Sequence, residues 1–117
     1  MSRDFRLYLD DILQACDRRT KYISGHTFDS FTLDDKTVDA VVRNLEIIGE
    51  AIKNVPAEIL ALQPQIKWKD VARFRNVIAH FYFGVKLDAV WRITQSEISP
   101  LRKAAALLFD SLPDAEK

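Results

Sequence analysis

The sequence predicts an all-α fold, a bundle of four to five helices. Apolar residues recur at spacings of three and four through most of the chain, the period of one helix face. Only 3 glycines and 4 prolines occur in 117 residues, too few for a fold of many tight turns. No segment alternates apolar and polar residues long enough to make a sheet. Phe81-Tyr82-Phe83 is the one stretch that could be extended.

The first helix is expected over about residues 3–23, capped by Ser2, with Phe5, Tyr8, Leu9, Ile12, Leu13 and Cys16 on one face and Gly25 ending it. Thr32 is the expected cap of a second helix, with Asp34 and Asp35 favouring its positive end. Val38, Val41, Val42, Leu45, Ile48 and Ile52 form its stripe, and Arg43, Glu46, Glu50 and Lys53 lie off its centre. Gly49 inside it costs about 1 kcal/mol relative to alanine, which points to close approach by a neighbouring helix. Pro56 ends or breaks that helix. Residues 57–67 read as a short helical turn and a loop broken at Pro64. A third helix begins near Trp68 and runs through Val71, Phe74, Val77 and Ile78 towards His80. Asp88 caps a fourth over about 89–96. Ser99-Pro100 opens a fifth, with Leu101, Ala104, Ala105, Leu108 and Leu112 inward. The length suits one domain, residues 1–117.

Composition excludes several function classes. The 17 basic and 17 acidic residues cancel, whereas a protein that coats nucleic acid carries a large positive excess. Any RNA contact must use a local patch. One cysteine, Cys16, allows no disulfide within the chain, and its spacing buries it. No apolar run approaches the ~20 residues of a membrane span, and residues 1–6 lack the apolar stretch of a signal peptide. The expected compartment is the cytoplasm, with no membrane association. There is no glycine-rich phosphate loop, no paired-cysteine motif and no serine nucleophile signature. Glu46 and Glu50 lie one turn apart, but no matching histidine or carboxylate set accompanies them, so no metal site is expected. His26, in a Gly/Ser/Thr-rich loop, is expected to face solvent. Trp68 and Trp91 read as core or interface anchors.

Chemistry concentrates at residues 73–82, Arg-Phe-Arg-Asn-Val-Ile-Ala-His-Phe-Tyr. Cleavage of a phosphodiester by an RNA 2′-hydroxyl needs a group that takes a proton, one that gives a proton, and a fixed cation for the phosphate. Histidine suits the proton steps and arginine the phosphate. At ~100° per residue, Asn76 and His80 share a helix face, so Asn76 can orient the imidazole. Arg75 and Tyr82 share another. Arg75 and His80 point well apart on an ideal helix. They meet only through the length of the arginine, a distorted helix end, or a second protomer. Arg73, seven positions before His80, lies nearer its stripe.

Arg75-Asn76-Val77-Ile78-Ala79-His80-Phe81-Tyr82 resembles the R-x-x-x-x-H-x-Y motif of HepT proteins, a branch of the HEPN superfamily. The resemblance extends further. Asn44–Lys53 is similar to the family's second helix, including Gly49, and Pro64–Val71 to its Pro-x-Ile-x-Trp approach to the motif. Asp88–Trp91 and Ser99–Leu101 are similar to its ending. Together these cover roughly residues 5–110. The resemblance implies a HEPN-type bundle and a metal-independent endoribonuclease without cofactor, the toxin of a toxin–antitoxin pair, acting as a homodimer with both motifs in one cleft. Carried over, Arg75 binds or polarises the phosphate, His80 transfers protons and Asn76 positions one of them. Tyr82 matches the tyrosine to which an MntA-like nucleotidyltransferase antitoxin adds AMP. Arg73 fits a looser HEPN spacing, and Glu50 is a candidate for the cleft. Phe74 and Phe81 depart from the residues usual at their positions but remove no reactive group. The alternatives are a non-catalytic helical partner of a nucleotidyltransferase, with Tyr82 merely an acceptor, and a subunit that binds nucleotide through Arg75 without cleaving RNA.

Overall fold

The computed structural model describes residues 4–73 and 87–111, and all structural statements concern these. They form seven helices and no strand. These are α1 (Phe5–Ile23), α2 (Phe28–Thr32), α3 (Asp35–Lys53), α4 (Ala57–Leu60), α5 (Trp68–Ala72), α6 (Leu87–Ser96) and α7 (Ile98–Ser111). Five of them, α1, α3, α5, α6 and α7, are the expected helices or their described parts, α4 is the expected short turn after Pro56, and α2 was not expected. The all-α bundle is therefore the observed fold.

Helix α1 begins one residue after Asp4, whose side chain accepts from the backbone N–H of Arg6 at 2.9 Å. That satisfies one of the amides a helix start leaves without an internal partner; the expected cap Ser2 lies outside the described residues. Gly25 follows the helix at φ 79°, a left-handed conformation that glycine adopts without steric cost. α1 packs most extensively along α3 and also along α7. Its inward residues Leu9, Ile12, Ala15 and Cys16 are buried. The expected α3 stripe, Val38, Val41, Val42, Leu45, Ile48 and Ile52, is buried throughout, as is Gly49. On α7, Leu101, Ala104, Ala105 and Leu108 are buried, while Leu112 lies outside the described residues.

The connection between α1 and α3 departs from expectation. Thr32 does not cap the second long helix; it is the last residue of α2. The cap of α3 is Asp34, which accepts from the N–H of Thr37 at 3.2 Å and from its hydroxyl at 2.8 Å. α2 opens with a reciprocal capping box between Thr27 and Ser30. Its Phe31 is fully buried, and its ring lies 5.1 Å from that of Trp91 on α6. A single helical turn thus exists to carry an aromatic anchor, which α6 answers with an indole.

His26 belongs to this connection and is not solvated as expected. Its Nδ1 lies 2.9 Å from the Ser30 hydroxyl. Its Nε2 lies 3.8 Å from the Asp34 carboxylate, with 21% of the side chain exposed. The imidazole bridges α2 and the cap of α3, while the His26 backbone N–H donates to the Ile23 carbonyl at the end of α1 at 2.9 Å, a structural task. Cys16 is buried, and burial pushes its thiol up to about 12, so it stays protonated and unreactive.

Candidate active site

The segment that carries the expected chemistry, Arg75, Asn76, His80 and Tyr82, lies outside the described residues, as do Phe74 and Phe81. The frame on either side of it is described. On the leading side, the loop after α4 is pinned by Trp68. Its indole N–H is shared between the carbonyls of Leu60 at 2.9 Å and Gln63 at 3.1 Å. Trp68 and Val71 are buried, and α5 packs on α3. On the trailing side, α6 is seated by Trp91 against Phe31 and Phe28, and Val90 and Thr94 are buried.

Arg73 closes α5, its backbone N–H donating to the carbonyls of Lys69 and Asp70 at 3.2 Å each. Its guanidinium lies 3.5 Å from the carboxylate of Asp70, with both side chains largely exposed. Such a pair is screened by water and contributes at most about 1 kcal/mol. Arg73 is thus a solvent-facing cation with a carboxylate already beside it.

Glu50 is exposed on α3 and lines a cleft of about 340 Å³ between α1 and α3. Tyr8 and Asp11 from α1 face Arg43, Glu46, Ile47 and Ala51 from α3, with Asn54 just beyond it. Arg43 reaches to 4.0 Å from Glu46, and the Asn54 amide donates to the backbone carbonyl of Glu50 at 2.9 Å. Among the described lining residues stand one guanidinium and three carboxylates. Glu50 therefore stands in a polar cleft rather than in isolation. The spacing of Arg43, Glu46, Glu50 and Asn54, three or four residues apart, already carried that signal. Tyr8 and Asp11 were legible only once α1 was known to lie along α3. Among the described residues no group of three or more His, Cys, Asp or Glu side chains could hold a metal ion, and no helix is long and apolar enough to cross a membrane.

Comparison with known proteins supplies what the described geometry does not. The family model for HepT-like ribonucleases matches residues 12–108. The chain belongs to the HepT-like ribonuclease family. The matched span contains all of α3, α5 and α6 together with residues 74–86. Among HepT-like relatives, one from Thermococcus cleftensis, named "Probable ribonuclease HepT", is 39% identical over 102 residues, covering 87% of this chain and 93% of the relative. A protein of Methanocaldococcus jannaschii, named as a candidate RNase, is 40% identical over 96 residues, 82% of this chain and 79% of its own length. Another so named, from Caldanaerobacter subterraneus subsp. tengcongensis, is 40% identical over 98 residues, 84% of this chain and 88% of its own. No solved structure matches the chain significantly.

Proposed function

We propose that this HepT-like chain is the toxin of a toxin–antitoxin pair, a metal-independent endoribonuclease formed by one domain over residues 1–117 and acting as a homodimer. The observation that carries the reading is the family match over residues 12–108, a span that encloses the run Arg75 to Tyr82. The names of the relatives support the same activity class.

In this reading Arg75 grips the scissile phosphate through its fork of N–H donors. One imidazole, His80, takes the proton of the RNA 2′-hydroxyl, whose oxygen attacks the phosphorus. The bond to the 5′ oxygen breaks, and that oxygen takes a proton from a second acid, His80 of the other copy. The products are a 2′,3′-cyclic phosphate and a free 5′-hydroxyl. Asn76 orients the imidazole. A dimer cleft resolves the angular mismatch between Arg75 and His80 on one helix. Arg73 and Glu50 are accessory at most. Asp70 beside the Arg73 guanidinium competes with phosphate for it, which supports Arg75 as the phosphate ligand. The AMP acceptor is Tyr82, and a nucleotidyltransferase antitoxin neutralises the toxin by loading it. The added phosphate brings negative charge to the cleft and repels the RNA backbone.

The test is cleavage of RNA by the purified, unmodified chain beside its His80→Ala and Arg75→Ala variants. Loss of at least a hundredfold in rate with unchanged helical content is expected. Equal rates in the His80→Ala variant and the unaltered chain refute the catalytic assignment.

A further inference from the structure

The chain has no net charge, so an enzyme that acts on RNA must hold the strand on a local cationic surface. The recesses differ in the charged residues that line them. The α1–α3 cleft sets Arg43 against Asp11, Glu46 and Glu50. A second recess, between α5 and the α6–α7 corner, sets Lys67 against Asp70 and Glu97. In both, cationic and carboxylate side chains stand together. A third, of about 400 Å³, is lined by Ala57, Leu60, Ala61, Trp68, Lys67 and Lys69; its surface is almost wholly carbon, and among the described residues no carboxylate side chain lines it.

We propose that this third recess is an RNA subsite, in which an unpaired base of the substrate rests against the apolar wall of Leu60, Ala61 and Trp68 while the flanking phosphates meet Lys67 and Lys69. The inference rests on the ribonuclease reading above and deepens it by naming a place where the strand is held.

Three observations carry it. The recess falls within the range of about 300–1,000 Å³ of ordinary small-ligand clefts, and its wall is carbon, suited to the face of a base. Single-strand binding sites combine such a surface with cations that follow the backbone. Lys67 and Lys69, both exposed, flank the buried Trp68 in sequence and line the recess. Lys69 also precedes Arg75 by only six residues in the sequence. Lys67 borders the second recess as well.

The experiment uses the full chain carrying His80→Ala, so that RNA is bound and not cut. A labelled single-stranded RNA oligonucleotide is titrated at salt concentrations from about 50 to 300 mM. Joint Lys67→Ala and Lys69→Ala substitution is expected to raise the Kd about tenfold or more and to flatten the slope of log K against log salt by about 1.4, the loss of two phosphate contacts. Ala61→Phe, which fills an exposed position of the recess without altering charge, is expected to raise the Kd severalfold with the slope intact. Unchanged Kd and slope in the double lysine variant overturn the subsite. Cleavage by the chain with His80 intact is measured in parallel. If it cleaves and the lysines prove silent, only the subsite fails. If it does not cleave while the lysines govern binding, only the catalytic reading fails.

Discussion

The guanidinium of Arg19 on α1 donates from Nη1 to the backbone carbonyl of Thr94 at 2.9 Å, joining elements 75 residues apart in sequence. Arg19 is 6% exposed, and its Nε meets no acceptor among the described residues. Burial lowers its affinity for the proton. The placement is still favourable, because Thr94 lies in the last turn of α6, where helix carbonyls concentrate negative potential. With Trp68 holding α5, this bond means that both elements flanking residues 74–86 are tied to the α1–α3 frame.

Arg19→Ala is expected to destabilise the fold by about 1–3 kcal/mol, since the Thr94 carbonyl loses its donor in a buried setting. Arg19→Met should cost less, because it refills the volume and removes an ion with no described carboxylate partner. Urea unfolding followed by helical signal measures both. An unchanged midpoint in Arg19→Ala contradicts the assignment.

The aromatic clamp under α6 predicts an asymmetry between two phenylalanines of the same short helix. Phe31 is fully buried and Phe28 is 38% exposed. Phe31→Ala should cost about 3–5 kcal/mol, and Phe28→Ala less than about 1 kcal/mol. Denaturation midpoints of the two variants decide this; similar losses would mean that α2 does not anchor α6 through Phe31.

Trp68→Phe keeps most of the ring but removes the indole N–H, leaving the Leu60 and Gln63 carbonyls without that donor. The expected loss is about 1–2 kcal/mol of stability. If α5 positions the motif, RNA cleavage per folded molecule falls as well. Activity and unfolding measured on the same preparation separate the two effects. Unaltered cleavage per folded molecule would confine Trp68 to a structural role.

The pair between Arg102 on α7 and Asp17 on α1 gives a pH dependence. The guanidinium donates from Nε at 2.7 Å and from Nη2 at 3.2 Å. Its hydrogen bond holds the Asp17 carboxyl below its ordinary value. The unfolded chain therefore takes up this proton more readily than the folded one. The contribution is present above the unfolded value of about 3.9 and lost as pH falls through the lower folded value. Roughly half of each side chain is exposed, which limits it to about 1 kcal/mol or less. Arg102→Ala should lower Tm by a few degrees at pH 7, with the difference closing near pH 2–3. A difference that persists at that acidity would have another origin.

The long helices were legible because burial of a helix face writes its own period into the chain. Val38 through Ile52 on α3 and Leu101 through Leu108 on α7 are buried as their spacing implied. Shorter features escaped for want of length. A five-residue helix such as α2 has no period to read, and its one local sign was the Thr27–Ser30 pair that caps it. His26 looked like a loop residue because its partners Ser30 and Asp34 come within reach only once residues 28–32 coil into α2.

By itself, the sequence determined the helical class, the inward faces of α1, α3 and α7, and the motif run from Arg75 to Tyr82. Only the tertiary structure decided that Arg19 is buried against Thr94, that Phe31 meets Trp91, and that Tyr8 and Asp11 share a cleft with Glu50. The physical reason is the range of the forces involved. Hydrophobic periodicity and helix capping act within a few residues and so leave their mark on the local sequence. A hydrogen bond or ring contact between distant elements depends on the packing of whole helices, which no local spacing encodes.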